Sequence, residues 1–151
     1  MGDILSRMQG GIMMREILFR GKDADSGLWC YGDLAHDREG NPCIRFWGHN
    51  GYLVRSVTPE TVGQFTGLTD QNNKRIFEGD ILQYFDNEVQ LVEWSGEWGQ
   101  LMLHTYSEYE HKRGRKVVKE TTEGWNCICD YPLREMTILG NIFDNPELLE
   151  V

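Results

Sequence analysis

Apolar and polar positions alternate in short runs along most of the chain, and each run is bounded by turn-forming residues. This period of two predicts strands over 16–21, 28–34, 43–47, 52–57, 81–85, 89–94, 100–106, 125–129 and 136–142. Connections are short: Asp37 to Pro42 reads as a turn, and Gly48-His49-Asn50-Gly51 as a hairpin tip. Val89, Leu91 and Glu93 fall on one face of their strand, and Gln90, Val92 and Trp94 on the other. Neither face is cleanly polar, so this strand is expected to be covered on both sides. Helix content is expected to be low, with one short helical turn at Asn145-Pro146-Glu147-Leu148-Leu149, where Pro suits the first helical position. The expected fold is mainly β, an antiparallel meander over about 14–57 followed by a small SH3-like barrel over about 76–143. Residues 58–75 would bridge the two lobes of a single domain. Residues 1–13 show no alternation and are expected to form an extension outside the core.

The stretch from Val57 to Phe85 is the densest run of backbone instructions. Pro59 fixes its own φ and biases Thr58 toward extended backbone. Gly63 and Gly67 flank Gln64-Phe65-Thr66, and Asp70 through Asn73 reads as a turn. Glu78-Gly79-Asp80 interrupts an apolar run that resumes at Ile81. Asp70 and Asp80 are placed to cap turns, and Gly79 is expected to need a backbone geometry or a close contact that a Cβ would disturb.

TPETVGQFTGLTDQNNKRIFEGDIL within this stretch resembles the hallmark segment of the YopX family of phage and prophage proteins. The run from Met14 to Gly21 is similar to the family's opening strand, and that from Gly140 to Leu148 to its ending. One departure is local: Asn72-Asn73 stands where the family often has Asn-Gly, and Asn tolerates the left-handed conformation at some cost. The resemblance implies a mostly β fold and a mobile-element origin, with Gly63, Gln64, Gly67, Asp70, Glu78, Gly79 and Asp80 as structural hallmark positions. It carries no catalytic residue and no cofactor to transfer.

Composition narrows the function classes. With 40% hydrophobic residues the chain can build a packed interior. No apolar run approaches the ~20 residues of a membrane-crossing helix, so a cytoplasmic protein is expected. The formal net charge of −9 is unevenly placed. Residues 58–111 hold ten acidic side chains against Lys74 and Arg75 alone. Such a surface repels phosphate backbones and disfavours general nucleic-acid binding. Five bases then follow with no acid between them, Lys112, Arg113, Arg115, Lys116 and Lys119, on an expected exposed loop or hairpin tip over 107–124.

Candidate chemistry is thin. Cys127 and Cys129 share a strand face, and with Cys30 and Cys43 they number four thiols, but the spacing matches no zinc knuckle or ribbon. Free thiols and no metal are expected. His36, His49, His104 and His111 are scattered, and Glu60, Asp70, Glu78 and Asp80 read as turn residues better than as acid–base pairs. Gly63-x-x-x-Gly67 lacks the lysine and the helix of a phosphate loop. Trp29, Tyr31, Phe46, Trp47, Tyr52, Trp94, Trp98 and Tyr106 are expected to lie mostly in the core. The sequence therefore points to a non-catalytic interaction module that self-associates through strand edges, with a host or phage protein as a further partner. The alternative is a nucleic-acid-binding accessory protein that uses the basic 112–119 loop and exposed aromatics.

Overall fold

The computed structural model describes residues 15–84, 88–112, 115–118, 124–127 and 135–149, with side chains described over 15–84, 88–104 and 135–149. The protein is mainly β and consists of two antiparallel sheets. The first contains β1 (Phe19–Lys22), β2 (Trp29–His36), β3 (Pro42–Gly48), β4 (Gly51–Ser56), β5 (Gly63–Thr69) and β6 (Arg75–Phe77), in the order β4-β3-β2-β1-β5-β6. The second contains β7 (Asp80–Tyr84), β8 (Glu88–Ser95), β9 (Gln100–Lys112), β10 (Arg115–Val118), β11 (Gly124–Cys127) and β12 (Met136–Asn141). Its order is β10-β9-β8-β7-β12, with β11 on β9, and among the described residues no pair joins the two ends of this path into a barrel. Among the described residues the named helical elements are two short 3-10 turns, Pro59–Thr61 and Pro146–Leu149. Among the described residues no helix is long and apolar enough to cross a membrane.

The N-terminal meander forms as its alternation and turns dictate. Gly48 pairs with Gly51 across a two-residue tip, which places Trp47 opposite Tyr52 and Phe46 opposite Leu53. Asp37 Oδ1 accepts the N–H groups of Glu39 and Asn41 at 2.9 and 2.8 Å, building the turn between β2 and β3.

Two expectations need correction. Residues 58–75 do not form a bridge: β5 lies within them and pairs with β1 on one side and β6 on the other, so the first sheet extends to Phe77. Of β5's residues, Gly63, Gln64, Phe65 and Thr69 carry the ladder, and only Gly63 and Phe65 are buried. Backbone pairing, not an apolar face, makes it a strand. Likewise β9 continues through the polar run to Lys112, because β10 pairs with it from Arg115↔Lys112 to Val118↔Tyr109. The interlude is thus a β hairpin over this part.

Two apolar clusters lie on the two faces of the second sheet. Leu82, Val92, Leu103 and Met136 pack with Ile76 on one face. Ile81, Val89 and Leu91 lie on the other, under Ile142, Leu148 and Leu149. Adjacent residues of β7 and β8 thus enter different clusters, and Val89 through Val92 are all buried, as the mixed faces of β8 predict. The turn Pro146–Leu149 forms where the sequence places it and serves as the lid of the second cluster. The aromatic residues contradict their expected burial: Tyr31, Trp47, Tyr52, Trp94 and Trp98 are exposed. Trp47, Tyr52 and Trp94 project from strands to solvent, Trp98 sits in the turn after β8, and among the described residues the buried aromatics are Phe65 and Phe77.

Ile81 is fully buried beneath the terminal turn. Ile81→Ala is expected to lower stability by about 2–5 kcal/mol, read as a reduced urea midpoint at constant slope.

Candidate functional site

Five of the seven hallmark residues, Gly63, Gln64, Glu78, Gly79 and Asp80, converge on one junction. Arg20, in the short strand β1, points into the interior, and its Nη2 lies 2.7 Å from Asp80 Oδ1. The two side chains are only 6% and 3% exposed. The same Nη2 donates to the carbonyl of Glu78 at 3.2 Å. The guanidinium carbon lies 4.5 Å from the Trp29 ring centre and 4.9 Å from that of Phe77, so aromatic faces cover the charge where water cannot. Asp80 Oδ2 accepts the Phe77 N–H at 2.8 Å, closing the tight turn between β6 and β7. Burial pushes the Asp80 carboxyl above the ordinary carboxylate range, and the attraction of Arg20 offsets only part of this. Glu78 is raised as well, first by burial and further by the nearby Glu93, with the Gln64 N–H and Arg20 opposing.

Glycines let the junction close. Gly79 has φ +89°, the left-handed region, and a Cβ there would meet Phe143 Cε2 at 3.0 Å. Its N–H donates to Val92 O at 2.7 Å and its carbonyl accepts the Ile142 N–H at 2.9 Å. Gly63 is needed for approach: a Cβ would sit 2.7 Å from the Glu78 carbonyl. Gln64 O accepts the Glu78 N–H at 2.9 Å. Asp70 is buried at the next turn, where Oδ1 accepts the N–H groups of Asn72 and Lys74 and Oδ2 that of Ile138 in β12. Asn73 takes the left-handed conformation, φ 62°, as its place in the turn requires. Gly67, with φ +85°, stands apart from the junction and faces Arg15. The hallmark is therefore a structural clasp between the sheets.

The exposed surface offers a different feature at β4. This strand is the edge of its sheet, and residues 52–56 are exposed on both faces. Its apolar residues include Tyr52 and Val54, 54% and 53% exposed. Tyr52 stacks on the exposed Trp47 with ring centres 3.9 Å apart. The Val57 N–H donates inward to Pro42 O, whereas Ser56 O points outward and accepts the Ala24 N–H. Alternation then aims the N–H and C=O groups of Tyr52 and Val54 away from β3, where among the described residues no strand pairs with them.

A family model described as YopX protein matches residues 18–150. The chain belongs to the YopX family. No curated protein matches it. Among solved structures it is similar to the crystal structure of protein EF1440 from Enterococcus faecalis, with 21% identity, 91% of this chain and 100% of that chain covered, and a TM-score of 0.44.

In this YopX chain the basic run divides. Lys112 and Arg115 sit opposite each other at the β9–β10 turn, and Lys116 pairs with His111. Arg113 and Lys119 lie outside the described residues, as do Cys129 and the side chain of Cys127. Cys30 is half-buried and Cys43 buried, both as free thiols. Burial raises the Cys30 thiol, which also suppresses its reactivity. Among the described residues no three His, Cys, Asp or Glu side chains gather as a metal site. His104 Nδ1 lies 2.9 Å from Glu93 Oε2 across β8 and β9.

Two junction residues carry no signal in the sequence. Arg20 is one. The other is Asp144, which pairs with Lys22 and accepts the Trp29 Nε1–H at 2.8 Å and the Asn141 Nδ2–H at 3.0 Å. These donors, Lys22 foremost, hold its carboxyl down at about 2. Asn145-Pro146 predicts a turn here, but nothing local predicts that Asp144 ties β12 back to β1 and β2.

Gly79→Val combines a strained φ with the Phe143 contact and is expected to lower stability by about 1–3 kcal/mol, seen as an earlier thermal melt. Asp144 has a folded pKa below its ordinary 3.8, so its stabilisation is full above that value and lost as pH falls toward about 2. The urea-unfolding difference between wild type and Asp144→Asn is expected to be largest near neutrality and to close over that acid range, in proportion reduced by the partial exposure of the pair.

Proposed function

We infer that this YopX-family protein is a non-catalytic protein-interaction module, a phage or prophage accessory protein working in the bacterial cytoplasm, and that it self-associates through β4. The carrying observation is the open edge: exposed apolar residues on both faces, and main-chain groups of Tyr52 and Val54 aimed outward. Unpaired edges of this kind accept a further strand, with main-chain hydrogen bonds supplying affinity and the alternating side chains supplying choice. A second copy fits in antiparallel register with Tyr52 opposite Val54 of its counterpart and Leu53 opposite Leu53. The twofold arrangement is self-complementary, as an isologous dimer requires. The Trp47–Tyr52 stacks then flank the new pair and remove apolar ring surface from water. Exposed ion pairs contribute only ~0–1 kcal/mol each, so salt weakens such a dimer modestly. An extended segment of a host or phage protein is the natural competitor for the same edge.

Val54→Pro tests the reading, because it removes an outward donor and no bond to β3; edge strands tolerate proline on that side. Light scattering is expected to report a dimer for the wild type at micromolar concentration and a monomer for Val54→Pro, with little change in melting midpoint. A monomeric wild type, or a variant that associates equally well, overturns the proposal.

A further inference from the structure

Cations are scarce in the middle of this chain, and the fold gathers the few it has. Lys74 and Arg75, the two bases between residues 58 and 111, both line one cleft together with Arg15 and Arg20. The cleft runs between the β5–β6 side of the first sheet and β12 of the second, and holds about 1060 Å3. That volume accommodates a small-molecule ligand. Two carboxylates line it as well, and each already has a partner: Glu16 Oε1 lies 2.9 Å from Arg75 Nη2, and Asp80 Oδ1 lies 2.7 Å from Arg20 Nη2. The charge balance of the lining is therefore positive, in a chain whose net charge is −9.

Two further observations give the ligand its character. Arg20 Nε is buried and has no hydrogen-bond partner among the described residues, although its side chain is 6% exposed and lines the cleft. A buried N–H without an acceptor is matched by an anion or a carbonyl that enters beside it. The cleft also has an aromatic floor. Phe65 and Phe77 are buried with ring centres 5.5 Å apart, and Tyr31 stands edge-on to Phe77 at 5.5 Å while 47% exposed. A cationic rim over ring faces matches a ligand with a phosphate and a flat base.

We propose that this cleft binds a nucleoside phosphate, its phosphate held by Arg15 and Lys74 and its base laid on the Tyr31 ring. Arg75, engaged with Glu16, adds positive potential at the rim. The guanidinium of Arg20 forms the charged part of the floor. Charged donors recognise phosphate through short, strong hydrogen bonds, and bases stack on aromatic rings with little regard to base identity. The site thus accepts either a free mononucleotide or a nucleotide unit of a single strand. An acidic peptide supplies anions, but its carboxylates alone leave the ring floor unused. The β1, β2 and β3 strands separate the β4 edge from β5 and β6, so this site and the dimer edge stand or fall independently.

Titration calorimetry on the full chain tests the proposal with AMP, TMP, inorganic phosphate, adenosine, a short oligothymidylate and an Asp/Glu-rich peptide as separate ligands. Saturable binding of the mononucleotides is expected, about ten-fold tighter than that of phosphate or adenosine alone. The double variant Arg15→Ala/Lys74→Ala is expected to weaken binding about ten-fold, and Tyr31→Ala about five-fold, with melting midpoints near wild type. Oligothymidylate binding tighter than TMP identifies a strand as the source, and weaker binding identifies the free nucleotide; both support the site. Absence of saturable nucleotide binding, equal affinity for phosphate alone, unchanged affinity in the variants, or tighter binding of the acidic peptide overturns it.

Discussion

The buried ion pair between Arg20 and Asp80 is the constraint on which the two sheets depend. Each charge alone would be costly to hold away from water, and removing either partner strands the other at a cost of about 3–5 kcal/mol. The pair is held by two aromatic faces, the Glu78 carbonyl and the Phe77 N–H, which leave Arg20 Nε without a partner among the described residues. Those contacts define where the Glu78-Gly79-Asp80 turn must sit. The turn in turn presents hydrogen-bonding groups to β5, to β8 and to the chain after β12. The two sheets thereby gain a polar tie at a defined place.

Apolar burial contributes most elsewhere. The strands β7 and β8 send neighbouring residues to opposite faces, so the second sheet stands between two clusters and the terminal turn closes the outer one. Hydrophobic burial of this kind is roughly proportional to area and indifferent to direction. It stabilises the second sheet, to which the first contributes Ile76 of β6. Aliphatic packing thus supplies stability, and the charged clasp supplies a directed tie between sheets.

Much of this was legible in the sequence where the causes are local. The mixed faces of 89–94 foretold double burial, and Asp70, Asn73 and Gly79 announced their turns through side-chain chemistry and backbone tolerance. Non-local causes left no mark. An arginine in a short strand beside a lysine reads as an exposed residue, and only its meeting with Asp80, sixty positions away, makes it interior. β5 lacks an apolar face, so its pairing with β1 and β6 was invisible. The exposed aromatics deceived for the opposite reason: ring content resembles core content until the strands fix which way each ring points. The cationic cleft leaves no contiguous signal because it joins two distant segments, Arg15 with Arg20 and Lys74 with Arg75, whereas the bases from Lys112 onward form a single run.

The bridge between Asp23 and Val57 has a consequence for growth. Because Ala24 already occupies the Ser56 carbonyl, the free part of the β4 edge is only a few residues long. The opposite margin of the sheet, β6, is three residues long, and the turn beside it is bonded to β12 through Gln71 and Asp70. A sheet with one short open side and one blunted side can gain a neighbour there but cannot pass the opportunity on. Addition of strands to this sheet is therefore self-terminating.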